Sequence, residues 1–282
     1  MYHTLLGVTF AFKIFKMKRN LLLIAAISYF FSGYNQEVRL KIGTEFPLQH
    51  YIGVNYQHNL KFSADLSFGI VDSPYNDELY DWIKVPADKK SRKDFLQQTT
   101  DDGWVLEFGG NFHKNDWYFG IQGQFIKLNF SESYNEIIKT DLVQNDLASG
   151  EKALLDSVLV QARSPLGRLI VDLDDRVEIE SSLFQLGLKA GRQFQFKNPK
   201  LSMFVELGIT ANMHTKTKTS YDRNLATTIE SFAENQVVGS NSNQILENLD
   251  FEKQGEQINQ FFEDYGFIPG LSVGVAYRLY KK

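Results

Sequence analysis

The chain has 282 residues, 43% of them hydrophobic and 14% aromatic, with no cysteine and a formal net charge of −4. Without cysteine there is no lipoprotein anchor, disulfide or thiolate metal site, and a pI near 5.8 leaves no basic footprint for nucleic acid. A mean hydropathy of −0.28 does not exclude membrane residence, because the strands of a membrane barrel show lipid only alternate residues.

The first recognisable element is Met17-Lys18-Arg19-Asn20 followed by the apolar run Leu21–Ser28. A basic start and a short apolar stretch read as an export signal, too short for a membrane-spanning helix. Residues 1–35 are therefore expected to be an N-terminal extension and signal peptide, with initiation at Met17 and cleavage near Ser32–Asn35. A retained N-terminal helix is the alternative. Residues 36–282 are expected to form one domain, and they contain no run of eighteen apolar residues that would span a bilayer as a helix.

From residue 36 onward, apolar and polar residues alternate with the period of two that defines a two-faced strand. The pattern predicts strands at about 36–45, 49–58, 60–71, 103–113, 117–130, 177–195, 201–214 and 271–280. In the first, Val38, Leu40 and Ile42 oppose Arg39 and Lys41. In the third, Phe62, Ala64, Leu66, Phe68 and Ile70 oppose Ser63, Asp65, Ser67 and Gly69. The fourth sets Trp104, Leu106, Phe108 and Phe112 against Glu107, Gly109 and Asn111; the fifth sets Trp117, Phe119, Ile121 and Phe125 against Tyr118, Gly120, Gln122 and Gln124. The last is the cleanest, with Leu271, Val273, Val275, Tyr277 and Leu279 against Ser272, Gly274, Ala276 and Arg278.

The connections after strands two, four and six are tight and polar, whereas those after three, five and seven run to roughly 30, 45 and 50 residues, the asymmetry of a transmembrane barrel with periplasmic turns and outer loops. Aromatic residues at strand ends (Tyr51, Trp104, Phe112, Trp117, Tyr277, Tyr280) fit interfacial girdles. The expectation is an all-β fold, an eight-stranded antiparallel up-and-down transmembrane β-barrel with long extracellular loops. A secreted soluble barrel alternates too, with its apolar face inward, and alternation alone does not choose between them.

Eight strands enclose a space that side chains just fill. The inward set Arg39, Lys41, Asp65, Glu107, Lys189, Glu206 and Arg278 is expected to form a structural ion-pair network across the lumen, since unpaired burial of such charges costs several kcal/mol each. The histidines His50, His58, His113 and His214 fall at strand ends. His50 and His214 lie toward the outer rim, where a membrane-embedded hydrolase would place its base, but no compact nucleophile motif accompanies them. Asp172-Leu-Asp-Asp175 lacks the glycine and spacing of a calcium loop and reads as solvated, as do Asp101-Asp102 and Asp77-Glu78. No catalytic residue, cofactor or metal is expected. The long loops carry Ala153–Val160, Leu169–Val171, Ile245-Leu246, Leu249, Phe251, Ile258 and Phe261-Phe262. That is more apolar surface than solvated loops hold, so short helices or strand extensions should cover the mouth or meet a partner.

The basic-led signal, the eight alternating strands and the closing run Gly270–Leu279 resemble the outer-membrane β-barrel domain proteins of Bacteroidetes-type bacteria. These include PorT-like proteins and, by architecture, the OmpA/OmpX-type barrels. The resemblance covers about residues 36–280 and lies in pattern. It implies residence in the bacterial outer membrane and contact with its lipid. It also implies reading of strand 271–280 by the barrel-assembly machinery, although Lys281-Lys282 after Tyr280 departs from the usual aromatic terminus. PorT-like proteins are linked to protein secretion and gliding; no functional residue carries across. The expected function is a non-enzymatic structural or interaction role, supporting secretion or surface machinery, with a protein partner at loops 131–176 and 215–266. A small-molecule transport or gated channel protein is the second expectation, and a lipid-modifying hydrolase the third.

Overall fold

The computed structural model describes residues 36–71, 80–81, 83–133, 153, 156, 160, 176–220 and 251–281. The signal segment, Asp77-Glu78, Asp172–Asp175, Leu169–Val171, most of Ala153–Val160 and the Ile245–Leu249 run lie outside the described residues.

Eight strands follow in order: β1 (Glu37–Phe46), β2 (Gln49–Gln57), β3 (Phe62–Val71), β4 (Thr100–Lys114), β5 (Trp117–Ser133), β6 (Arg176–Gln195), β7 (Leu201–Ser220) and β8 (Ile268–Lys281). Each pairs antiparallel with its neighbour, and β1 pairs with β8, so the sheet closes and no edge is left unpaired. The fold is a closed eight-stranded antiparallel barrel. The turns at His58–Lys61, Asn115-Asp116 and Phe196–Lys200, together with the start of β1 and the end of β8, share one rim. Asn115 takes the left-handed conformation (φ 57°) in its two-residue hairpin, a position where asparagine is tolerated. β3, β5 and β7 end on the other rim, beside the short turn Pro47-Leu48.

The direction of the apolar face decides what kind of barrel this is. Ile121 is 67% exposed, Leu207 63%, Leu188 62% and Leu66 56%, while Gln124, Gln185 and Lys189 on the opposite face are 1%, 0% and 3% exposed. A soluble barrel has the reverse arrangement. An oily outer band around a polar interior is stable only against hydrocarbon.

Three differences from the expected elements stand out. β4, β6, β7 and β8 all extend beyond their expected outer ends, and β5 runs to Ser133 and β7 to Ser220. The spans expected as loops 131–176 and 215–266 thus begin as strand. Along these extensions the polarity of the two faces exchanges while the pleat continues. On β5 the outward row Trp117, Phe119, Ile121, Phe125 gives way to Lys127, Asn129 and Ser131, and the inward row Tyr118, Gln122, Gln124 gives way to buried Ile126, Leu128 and Phe130. β6 matches it, with Val177, Ile179 and Leu183 inside and Glu178, Glu180 and Ser182 outside. Above the oily band the wall therefore faces water outside and apolar packing within. Third, Tyr51 is 7% exposed and points inward, so it is not a girdle residue. Trp104, Phe112, Trp117, Tyr277 and Tyr280 do face outward.

Among the described residues, helices α1 (Lys90–Thr99), entered through a 3-10 turn at Ala87–Lys89, and α2 (Phe251–Tyr265) pack in the upper interior. α1 buries Phe95 and Leu96; α2 buries Ile258, Phe261 and Phe262. No helix among the described residues is long and apolar enough to cross a membrane.

Candidate functional site

From the turn rim upward the lumen is stratified. The lowest layer holds Glu37, which accepts from Arg39 and, at 2.8 Å, from Arg278 Nε. Arg39 also donates to Gln193 and Gln57. The register places Arg39 opposite Arg278 across the β1–β8 seam, and Glu37 bridges the two cations.

The middle layer centres on Lys189, whose side chain is fully enclosed. Its Nζ lies 3.0 Å from Glu107, 3.3 Å from Asp65 and 3.7 Å from Glu206. Asp65 also meets Lys41 Nζ at 3.5 Å and accepts hydrogen bonds from Asn55 (2.8 Å) and Asn111. Tyr118 donates to Glu206. The ammonium of Lys41 sits 4.5 Å from the centre of the Phe204 ring, within cation–π range.

The third layer is Glu45, bonded by Gln49 Nε2 at 2.6 Å and by Gln124 Nε2 at 3.3 Å. Gln124 reaches Glu107 as well, at 3.5 Å, joining this layer to the one below.

Of the seven expected network residues, Lys41, Asp65, Glu107, Lys189 and Glu206 meet in one cluster, and Arg39 and Arg278 form a separate cluster around Glu37. Sequence reasoning missed Glu37 and Glu45, although both share the odd-numbered inward register of Arg39 and Lys41. It placed Tyr118 on the inward face but missed the inward aromatics Tyr51 and Phe204. Tyr51 lies across from Gly43, Tyr118 from Gly191 and Phe204 from Gly274. A Cβ on Gly43 would stand 2.8 Å from the Tyr51 hydroxyl, so glycine is what lets each ring lie flat on the wall and fill the bore. Between these groups is a cavity of about 20 Å³ lined by residues including Arg39, Lys41, Asp65, His113 and Tyr118. It has room for about one water molecule.

Above Glu45 the bore turns mainly apolar on the walls of β3 to β6. Leu48, Val71, Val105, Ile126, Leu128, Phe130, Val177 and Ile179 are at most 4% exposed and surround α1 and α2, with Phe130 and Phe262 rings 6.4 Å apart. The end of α2 dips into the mouth. Its terminal carbonyls, which lack partners within the helix, are met by wall side chains: Asn212 Nδ2 donates to Phe262 O (3.0 Å) and Gln185 Nε2 to Gly266 O (3.4 Å). Arg92 of α1 donates to Gln257 of α2 at 2.6 Å, so the two helices hold each other. Tyr80 lies fully buried beside them, its hydroxyl 3.1 Å from that of Thr100.

The expected outer-rim histidines do not converge. His50 on β2 and His214 on β7 are three strands apart around the wall, both exposed, and His50 is bonded to Thr44 (2.8 Å). His113 meets Ser63 at 2.8 Å near the turn rim. Asp102, expected as a solvated strand extension, lies near the start of β4 and accepts from Asn129 at 2.5 Å. No cluster of three or more metal-ligating side chains occurs among the described residues.

No family model matches this chain, and no curated protein matches it in sequence. Among solved structures it is similar to a major outer membrane protein from Thermus thermophilus (TM-score 0.37, 12% identity, 87% of this chain and 98% of that one). It is also similar to CarO2 of Acinetobacter baumannii (TM-score 0.30, 11% identity, 87% and 98%). A third is the N-terminal β-barrel domain of Pseudomonas aeruginosa OprF (TM-score 0.34, 6% identity, 88% and 98%). At these values the reading of this chain rests on its own strand ladder and lumen.

Proposed function

We propose that the protein is a closed, non-enzymatic barrel of the bacterial outer membrane, reached through its export signal, that serves as a scaffold presenting its outer cap to a partner. The observation that carries this reading is the double seal. A charged network occupies the lower bore, and an apolar helical cap occupies the upper one. Opening either means exposing buried carboxylates without partners or lifting Ile258, Phe261 and Phe262 into water. A partner supporting secretion or surface machinery is the finer proposal, with its contacts in 131–176 and 215–266. Strand 271–280 is proposed as the segment read during barrel assembly.

A gated channel is the second reading. It is favoured by the largely polar lower lumen, where Glu107 and Lys189 are held by rearrangeable ion pairs. Purified protein in planar bilayers separates the two. The scaffold reading expects a silent membrane across the physiological voltage range, and steady unitary openings of the unaltered protein would replace it with the channel. Release of fatty acid by the purified protein, lost in His50→Ala or His214→Ala, would instead favour the hydrolase.

A further inference from the structure

The two rims carry different charge. Around the turn rim the exposed ionisable side chains are Lys61, Lys114, Arg192, Lys197, Lys200 and Lys281, and Asp116 is the one exposed carboxylate there among the described residues. None of these six cations makes an ion pair among the described residues. At the opposite rim the outward charges are mixed: Lys127 pairs with Glu180 at 2.7 Å, and Lys216 and Lys218 share that face with Glu178. A ring of mostly like charge repels itself, so its presence at this rim asks for an anionic surface there.

The ring lies where the oily band ends. Phe62, Trp117, Phe194, Phe196 and Leu279 are 41–59% exposed at the same level. Arg192 faces outward from β6 between two of them, its guanidinium carbon 5.5 Å from the Trp117 ring centre and 5.0 Å from that of Phe194. Cation–π contact holds the guanidinium beside both rings, and it makes no ion pair among the described residues, so its N–H groups can match a phosphate bidentately. Flexible lysines on the adjoining turns can reach the same plane while their stems stay on apolar surface.

We infer that the turn rim is a docking surface for anionic phospholipid headgroups of the adjoining leaflet, with Arg192, held between Trp117 and Phe194, as its phosphate-binding centre. This rests on the membrane reading above. A cation at an anionic membrane surface strengthens association by about fivefold, so removing two should weaken it by roughly 25-fold at low salt, with screening reducing the effect at high salt.

The test reconstitutes the barrel in phosphatidylcholine vesicles with traces of spin-labelled phosphatidylglycerol or spin-labelled phosphatidylcholine, and reads the fraction of each label immobilised at the protein. The anionic label should be preferred. The preference should vanish in Arg192→Gln/Lys200→Gln and persist in Lys216→Gln/Lys218→Gln at the other rim. Equal immobilisation of both labels by the unaltered protein would overturn the inference, as would a preference that survives the first double substitution. So would binding of soluble polyglutamate through Arg192 and Lys200 without any lipid preference. An unheated gel shift run on the same vesicles reports insertion separately. A shifted band with no lipid preference removes the docking surface alone, and an unshifted band removes the membrane reading itself.

Discussion

At the scale of single residues, Lys189 is the group on which the lumen turns. Replacing it by methionine keeps much of the volume but leaves Asp65, Glu107 and Glu206 around a neutral side chain. Breaking a buried charge cluster in this way destabilises by about 3–5 kcal/mol. The urea midpoint of Lys189→Met in vesicles should fall accordingly, and an unchanged midpoint would mean that the cluster does not hold the barrel together. Gly43 tests the bore in a different way. Gly43→Val would push Tyr51 off the wall, an overpacking change expected to cost about 1–3 kcal/mol, measured by the same melt. Tyr80 belongs to the cap: burial pushes its phenol well above the ordinary value, against its hydrogen bond with Thr100. An undocked cap gives up this proton near pH 10, whereas the docked cap retains it. The docked state thus holds more protons above that pH, and docking weakens as pH rises further. Protease nicking of the cap should accelerate above about pH 10 and less steeply in Tyr80→Phe; equal slopes would remove Tyr80 from the account.

At the scale of elements, α2 is held by its apolar face and by two wall amides at its end. Phe262→Asp places a charge against the Phe130 ring and should undock the helix, read as rapid proteolysis within 251–265 with the barrel intact. Conductance should stay low, because the ion pairs below still block the bore. The strands themselves were legible from period-two alternation, and their tight turns from polar residues such as Lys114-Asn115-Asp116. What alternation did not reveal was the exchange of faces. In β5 the signal was present, since apolar residues move from odd positions (Phe119, Ile121, Phe125) to even ones (Ile126, Leu128, Phe130). Read as a single strand crossing a single membrane, that step looks like the strand's end. The cap helices were foreshadowed only by apolar content, because Ile258, Phe261 and Phe262 gain meaning from the wall that receives them.

At the scale of the whole molecule, fractionation and an unheated gel give the simplest check. The protein should sediment with outer membranes and change apparent mass on boiling; a soluble band without a shift would overturn the barrel's place in lipid. The lumen shows the limit of a face-by-face reading. Arg39, Lys41 and Lys189 were visible as inward charges, but which carboxylate each meets depends on the bore's diameter and the register of distant strands. Glu37 and Glu45 stand at the ends of β1 in the same inward register as Arg39 and Lys41, and only their partners needed the closed barrel to be read. The exchange of faces along β5 and β6 has a mechanical consequence. The oily stretch from Trp117 to Phe125 on a tilted strand covers about 20 Å of bilayer, and the next outward side chain is Lys127. β5 therefore carries its own depth stop, and β6 carries one in Glu180. The protein cannot ride higher or lower without drowning a lysine in hydrocarbon or wetting a phenylalanine, so a thicker bilayer should pinch inward around it while the barrel stays at its level.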